Sequence, residues 1–382
     1  MLKIAYLLRY WPFYGGGETV TRILIEEFLH RGIEVHVLYW WRNDTNKVFS
    51  PPGALFEHSF DVKRKDGYNP EDISSLGSQL KDYINNNKLD YIINQWWPSG
   101  VIPNDIPSKV IRCWHTFVIP NPKNGENWFK DLRNTIFKRL RNKRLVKYSI
   151  DPFYNESDAI VFLSSIYAKE FKKYSSLYPL KNKIISYINN PSPYKIAPQV
   201  RLSEKKKEIV FVGRLEEPVK RISRILYCWK RILQSGSNGW KLKIIGDGPD
   251  REELVELSNQ LNLSDLEFIG AKDPRDDYKN ASILLLTSQM EGWPMTIIEG
   301  KSYGVVPIAM NTYSAVKEII NDGVDGVICK SIDPNDLAVE VLKIMNNQQL
   351  RKSIAQKAII NSQQYNVSQI VDAWMDLFYK LE

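Results

Sequence analysis

Glu291 and Glu299 stand eight residues apart in the segment 291-EGWPMTIIE-299. Gly292 and Pro294 between them imply a loop with free backbone amides, and a helix expected from Met295 points its N-terminus at the same place. A loop carboxylate there would face a ligand. A carboxylate about one turn into the helix could accept hydrogen bonds from vicinal hydroxyls, as carboxylates do with ribose. The plain alternative is a solvated loop glutamate and a helix glutamate. A second constellation is 213-GRLEEPVKR-221. Arg214 follows an apolar run and Lys220 is expected at a helix start, so two fixed cations and a helix N-terminus would make a diphosphate clamp. A surface ion-pair cluster with Glu216 and Glu217 is the alternative.

Two weaker features accompany these. In 15-GGGE-18, Gly15, Gly16 and Gly17 lie between a strand and a helix, where they let a ligand approach the backbone or simply make a tight turn. The segment is not G-x-G-x-x-G, because Val20 fills the last slot. His115, in 113-CWHTF-117, ends a buried strand, where it is either structural or placed to meet a ligand. Other chemistry is excluded by what is missing. There is no Asp-x-Asp for a metal-diphosphate site, no P-loop, no G-x-S-x-G elbow and no histidine pair at zinc spacing.

These residues need elements to hold them. At 382 residues the chain is long enough for two or three domains, each with its own core. A hydrophobic fraction of 43% and a charged fraction of 25% exclude disorder as the main state. Three widely spaced cysteines, Cys113, Cys228 and Cys329, make no disulfide framework and fit a reducing compartment. Apolar runs such as 282-SILLL-286 are far short of a membrane span, and the N-terminal run reads as a core strand rather than a signal peptide.

Apolar runs alternate with amphipathic stretches. Strand 3–8, helix 18–32 and strand 34–40 make a βαβ unit, with Val20, Ile23, Leu24, Phe28 and Leu29 at helical spacing. Further strands are expected at 90–94, 109–114, 159–163 and 184–188. Residues 189–207, with three prolines and a lysine run, read as a linker. The pattern then restarts with strands at 208–213, 241–246, 265–270, 282–287 and 305–310, and helices at 220–234, 249–261, 295–303 and 314–321. Continuous hydrophobicity along the strands argues for parallel sheets covered on both faces. The expectation is an α/β chain of two tandem doubly wound domains with a crevice between them, ligands lying at the carboxyl ends of the strands. The last segment, 367–382, is an amphipathic helix with Ile370, Trp374 and Phe378 on one face.

In its motifs the chain resembles the family 4 retaining glycosyltransferases of the GT-B fold, the group 1 type of bacterial capsule and lipopolysaccharide assembly. The resemblance rests on G-R-L-x-E-P-x-K at 213–220, 244-IIGDGP-249, the two glutamates of 291–299 and 303-YGVVPIA-309, in that order and spacing. It implies two Rossmann-like domains with an interdomain cleft: an acceptor-binding domain at 1–190, joined by the helix 367–382 crossing back, and a nucleotide-sugar-binding domain at 191–366. By the same resemblance Arg214 and Lys220 would hold the donor diphosphate beside Gly213 and Gly246, and Glu299 would bind the ribose. Glu291, with the backbone of Gly292, Trp293, Pro294, Met295 and Thr296, would hold the sugar hydroxyls. Phe268, Ile269 and Gly270 would line the base, Gly16 and Gly17 would close on phosphate or acceptor, and His115 would lie at the sugar. The catalytic set so implied is His115, Arg214, Lys220 and Glu291. No metal or other cofactor is expected. Two departures stand beside functional positions: Arg221 where a glycine often follows the clamp lysine, and Gly300 where alanine usually follows the second glutamate.

The expected activity is retaining transfer of a hexose or N-acetylhexosamine from a nucleotide-sugar, by family weight a UDP-sugar, to a cell-surface polysaccharide or lipid-linked acceptor. A nucleotide-sugar epimerase or another GT-B relative is an alternative. The charge supplies a non-enzymatic one. Net charge is +8, and residues 101–150 alone carry 11 basic and 3 acidic residues. Such a surface implies an anionic partner, a membrane, a phosphorylated lipid or a nucleic acid, although no recognised nucleic-acid motif accompanies it. Within it, 126–149 reads as a basic amphipathic helix. Its apolar residues are Trp128, Phe129, Leu132, Ile136, Phe137 and Leu140, and its cations Lys130, Arg133, Lys138, Arg139, Arg141, Lys143, Arg144 and Lys147. It would either dock on an anionic bilayer or be an ordinary domain helix with a solvated basic face. The expected location is cytoplasmic, with peripheral attachment at the inner face of the cell membrane.

Overall fold

Buried apolar runs become strands wherever both faces can be covered. In the computed structural model this happens twice, in two compact units. Met1–Ile119, Phe129–Pro193 and Val367–Glu382 make the first, and Tyr194–Asn366 forms the body of the second. The structure describes residues 1–12, 16–42, 55–60, 62, 70–119, 128–180, 183–193, 200–236 and 239–382, with the backbone alone at 70–74 and 128–138.

The first unit holds a seven-stranded sheet: β1 (Lys3–Trp11), β2 (Glu34–Arg42), β3 (Phe56–Ser59), β4 (Tyr91–Asn94), β5 (Lys109–Trp114), β6 (Ala159–Phe162) and β7 (Ile184–Tyr187). Its order is β3-β2-β1-β4-β5-β6-β7, and every pairing is parallel. Ile4 pairs with Val35 on one side and Tyr91 on the other, so the order reverses at the β1/β4 junction, where doubly wound sheets place ligands. Residues Ile4 through Leu8 are wholly buried, as continuous hydrophobicity requires. The helix Val367–Leu381 belongs to this unit and lies against the helix Gly16–His30. It buries Ile370, Val371, Trp374, Leu377 and Phe378. Phe28 meets Phe378 at 6.1 Å, the Tyr91 hydroxyl donates to Phe378 O at 2.9 Å, and Arg31 donates to Ser368 O at 2.8 Å.

The second unit repeats the plan with β8 (Glu208–Val212), β9 (Lys241–Ile245), β10 (Leu266–Gly270), β11 (Ile283–Leu286), β12 (Val306–Met310) and β13 (Val327–Cys329). The order is β10-β9-β8-β11-β12-β13, again fully parallel, with the reversal between β8 and β11. The helix Ile222–Gln234 covers one face with Ile222, Ile225, Leu226, Cys228, Trp229 and Ile232, a three-and-four spacing that forms one stripe. Burying each of the larger side chains contributes about 1.5–3 kcal/mol.

Some expected elements differ. The helix expected at 220–234 is split: Glu217–Lys220 is a single turn, Arg221 sits in the left-handed region at φ 52°, and the long helix starts at Ile222. Lys220 therefore ends a turn rather than starting a helix. The expected helix 314–321 shrinks to Val316–Ile319, because Ile320 turns extended and the Asn321 amide is taken by the Asp325 carboxylate at 2.9 Å. Strands β3 and β13, and the helices Pro70–Asn87, Ser165–Tyr174, Arg275–Asn280, Pro334–Asn346 and Gln348–Ser362, are additions to the sequence reading.

Candidate active site

In the second unit the turn after β8 and the turn after β9 are built against each other. Gly213 N donates to Ile245 O at 3.0 Å, Gly246 N to Gly270 O at 2.9 Å, and Leu215 N to Asp247 O at 2.9 Å. A Cβ on Gly246 would lie 1.9 Å from Gly213 O, and one on Gly248 2.3 Å from Leu215 O. Only glycine permits this approach, which gives the 244-IIGDGP-249 segment its physical meaning.

The turn carrying Lys220 is stitched to the loop after β11. Gln289 N donates to Val219 O at 2.7 Å, and the Thr287 hydroxyl donates to Arg221 O at 2.8 Å. Arg224 braces the same loop, reaching Gln289 Oε1 at 3.2 Å and Thr287 O at 3.3 Å. This backbone frame brings Lys220 Nζ to 2.6 Å from Glu291 Oε1, both side chains largely buried. The clamp lysine and the loop carboxylate, 71 residues apart, thus form one ion pair. Arg214 remains exposed, with Nε 3.5 Å from Glu216 Oε2, so the surface ion pair weighed for this segment exists at Arg214. Glu217 instead accepts from Ser223 N at 3.1 Å.

Glu299 lies on the helix Met295–Ser302 and is held differently. Its carboxylate accepts the Tyr278 hydroxyl at 2.9 Å. Burial pushes it up to about 7, against the lowering effect of that hydrogen bond, and the Asp273 carboxylate adds to the rise. Among the described residues no side chain caps the helix start at Pro294. The ring of Trp293 is buried and meets Tyr365 edge-on at 5.7 Å, so Trp293 anchors the loop from inside. Gly292, Met295 and Thr296 stay half-buried along it. Phe268, Ile269 and Gly270 end β10 at a half-buried edge, where Phe268 packs on the main core and Ile269 on a smaller cluster around Tyr278.

In the first unit Gly16 is exposed and Gly17 packs on Trp96; a Cβ on Gly17 would lie 3.2 Å from that ring. Gly15 lies outside the described residues. His115 stacks on Trp96 at 4.9 Å, and neither the Trp96 Nε1 nor the His115 Nε2, both buried, has a hydrogen-bond partner among the described residues. Burial and the Arg112 guanidinium push His115 down to about 3, so it is neutral at pH 7. Arg112 is fixed by Asn94 Oδ1 at 2.8 Å and Trp97 O at 2.7 Å. The helix Trp128–Ser149 is present. Residues 126 and 127 lie outside the described residues, as do the side chains from Trp128 to Lys138. Beyond them Arg139, Leu140, Arg141, Lys143, Arg144, Leu145, Lys147 and Tyr148 are exposed, while Asn142 and Val146 are buried.

The family model for glycosyl transferases group 1 matches residues 194–360. The chain carries a group 1 glycosyl transferase domain. That domain is the second unit with its Lys220–Glu291 pair. The amylovoran biosynthesis glycosyltransferase AmsD of Erwinia amylovora is 30% identical over 210 residues, 53% of this chain and 58% of the relative. The lipopolysaccharide 1,6-galactosyltransferase of Escherichia coli K12 is 24% identical over 358 residues, 88% of this chain and 86% of the relative. Four curated relatives are covered over only 21–58% of their own length. Among solved structures, TarM superposes with a TM-score of 0.77 at 14% identity, covering 99% of both chains. Anabaena HepE, solved with UDP and glucose, superposes with a TM-score of 0.70 at 13% identity, covering 100% of both. The fold is GT-B, two Rossmann-like units in tandem.

Arg224, Thr287, Gln289 and Tyr278 were not singled out by the sequence reading. Arg224 lies four residues beyond Lys220 in sequence, at the start of the next helix, which is a usable signal. The other three belong to no motif, and only their contacts reveal them.

Proposed function

We propose that the chain is a retaining, metal-independent glycosyltransferase that moves a hexose or N-acetylhexosamine from a UDP-sugar to a growing cell-surface polysaccharide or lipid-linked glycan. The observation that carries the reading is the convergence of Lys220 and Glu291 at the carboxyl ends of β8 and β11, with Glu299 on the next helix. The names of AmsD and the Escherichia coli galactosyltransferase, and the UDP and glucose bound to HepE, support the substrate class.

Cleavage of the anomeric bond leaves a nucleoside diphosphate of growing negative charge. Lys220 and Arg214 meet that charge, together with the uncapped helix start at Met295. An ammonium has three donors, so engaging Glu291 does not exhaust Lys220. Glu291 and the backbone from Gly292 to Thr296 orient the sugar hydroxyls, Glu299 takes the ribose diol, and Phe268 to Gly270 flank the base. In the first unit Gly16, Gly17 and neutral His115 serve the acceptor. Retention follows from attack on the face the leaving group departs from, with the departing phosphate taking the acceptor proton. No carboxylate is assigned as nucleophile. The basic face around 139–149, with Leu140 and Tyr148 exposed among its cations, docks peripherally on an anionic inner leaflet where a lipid-linked acceptor lies. No helix among the described residues is long and apolar enough to cross a membrane.

A thermal-shift screen of UDP-, ADP- and GDP-sugars on the full chain tests the reading, because a ligand bound only by the folded state raises Tm. A rise with a UDP-hexose or UDP-N-acetylhexosamine that is lost in Glu299→Ala is the expected result. No rise with any nucleotide-sugar overturns it.

A further inference from the structure

Tyr278 is fully buried, on the short helix Arg275–Asn280, inside the small core cluster with Val210, Ile245, Ala281, Leu284, Tyr303 and Val305. Its ring stacks on Tyr303 at 6.0 Å. Its hydroxyl reaches out of this apolar cluster and donates to Glu299 Oε2 at 2.9 Å. The short helix is pinned around it. Lys205 Nζ donates to Tyr278 O at 2.6 Å, Lys272 pairs with Asp277 at 2.8 Å, and Lys206 N donates to Asn280 O at 2.8 Å. Asp277 is buried and Lys205 largely so, although Lys272 itself is exposed. A phenol held this firmly fixes the rotamer of the carboxylate it touches.

We propose that Tyr278 is a positioning residue for nucleotide binding: its hydroxyl orients Glu299 and favours the ionised carboxylate that accepts both hydroxyls of a nucleoside ribose. The inference rests on the reading of Glu299 as the ribose ligand and adds a residue to it. The chemistry requires such a partner. A carboxylate receiving two hydroxyl hydrogen bonds must be charged and correctly turned, and burial opposes both. The groups acting on its charge are the Tyr278 hydroxyl, which favours ionisation, and the Asp273 carboxylate, which disfavours it. Asp273 is itself paired with Arg275. On Glu299's own helix, Lys301 is turned away to Asp325 and Ile319 O. Nucleotide affinity therefore falls with acid as Glu299 takes up a proton, and loss of the phenol moves that fall to higher pH.

Isothermal titration of the full chain with UDP, and in parallel with 2′,3′-dideoxy-UDP, from pH 5.5 to 8.5 tests this. In Tyr278→Phe, UDP binding at pH 7 weakens by about tenfold, the scale of one hydrogen bond to a charged group. The pH midpoint rises, dideoxy-UDP binding is unchanged, and Tyr278→Phe adds nothing in a Glu299→Gln background. Equal weakening toward both nucleotides, or an unmoved midpoint, overturns the proposal and leaves a merely structural tyrosine. If the parent binds UDP and dideoxy-UDP equally and Glu299→Gln binds like the parent, the Glu299 reading has failed and the proposal falls with it. If UDP does not bind the parent, both fall. Should Tyr278→Phe fail to fold, fluorotyrosine in place of Tyr278 keeps the ring and acidifies the phenol. The midpoint then moves down, and an unmoved midpoint overturns the proposal.

Discussion

Lys220→Ala separates what the clamp lysine does for chemistry from what it does for the fold. The ammonium lies 2.6 Å from Glu291 Oε1, and the two side chains are 23% and 12% exposed. A hydrogen bond between charged groups contributes roughly 1.5–3 kcal/mol, and partial exposure screens it toward the lower end, so the variant loses about 1–2 kcal/mol. The turn itself keeps its frame, because Gln289 N to Val219 O and Thr287 Oγ1 to Arg221 O do not use the lysine side chain. The corresponding fall in Tm is roughly 2–8 °C for a unit of this size. Catalysis responds on another scale. A preorganised donor aimed at developing charge is worth about 3–4 kcal/mol, or roughly a hundredfold to a thousandfold in kcat. The assay is UDP release from the UDP-sugar that gives the largest thermal shift, with Tm recorded for each variant. Lys220→Ala and Glu291→Ala each lose about a hundredfold or more while still unfolding cooperatively. Turnover within about threefold of the parent refutes the clamp, since such a change is under 1 kcal/mol. A collapse in Tm beyond roughly 10 °C refutes the division between chemistry and fold.

Asp325→Ala strands the ammonium of Lys301, a pair 1% and 4% exposed at 2.8 Å, and costs about 3–5 kcal/mol in a urea titration; a loss under about 1 kcal/mol contradicts the buried-charge argument. Arg221→Gly raises Tm by roughly 2–4 °C, because it removes a left-handed arginine, relieves its repulsion of Arg224 and deletes a buried Nε that has no partner among the described residues; a lower Tm contradicts the strain argument. In the first unit His36 is held between the Tyr83 hydroxyl and Glu34. Burial lowers its pKa from the ordinary 6.5, so the folded state binds fewer protons than the unfolded one below that value. The contribution of His36 to stability is therefore full above pH 6.5 and lost with acid, and His36→Gln removes that part of the fall in urea midpoint between pH 7.5 and 5.5; an unchanged slope counts against it.

The fold was legible wherever one physical requirement acted alone. A strand buried on both faces must be apolar throughout, and residues 4–8, Ile283–Leu286 and Val306–Met310 declare themselves that way. Phe56–Ser59 does not, because as an edge strand carrying Glu57 and His58 it meets no such requirement. Val327–Cys329 is also an edge strand, and three residues show no period. The expected helix 220–234 failed for a different reason. Nothing in an apolar stripe reports one left-handed residue, and Arg221 has no composition that announces φ 52°. A glycine there would have given it away, and the resemblance marks that position as one where glycine often stands.

The site divides along the same line. Charge, glycine and proline are visible in a sequence, so Arg214, Lys220, Glu291 and Glu299 stood out as residues, but which of them meet did not. The two glutamates look equivalent on paper, a spacing and a pair of carboxylates. Folded, one faces an ammonium carried by a turn 71 residues earlier, and the other is sunk beside a phenol that no motif marks. Their difference is set by β11 and by the short helix Arg275–Asn280 rather than by the residues between them. On the proposed reading both carboxylates must stay charged: the one next to a departing diphosphate is held so by a fixed cation, the one that reads a neutral diol by one oriented donor working against burial. The segment 291–299 can serve both needs because the helix starting at Met295 carries its second carboxylate away from the cation that holds the first.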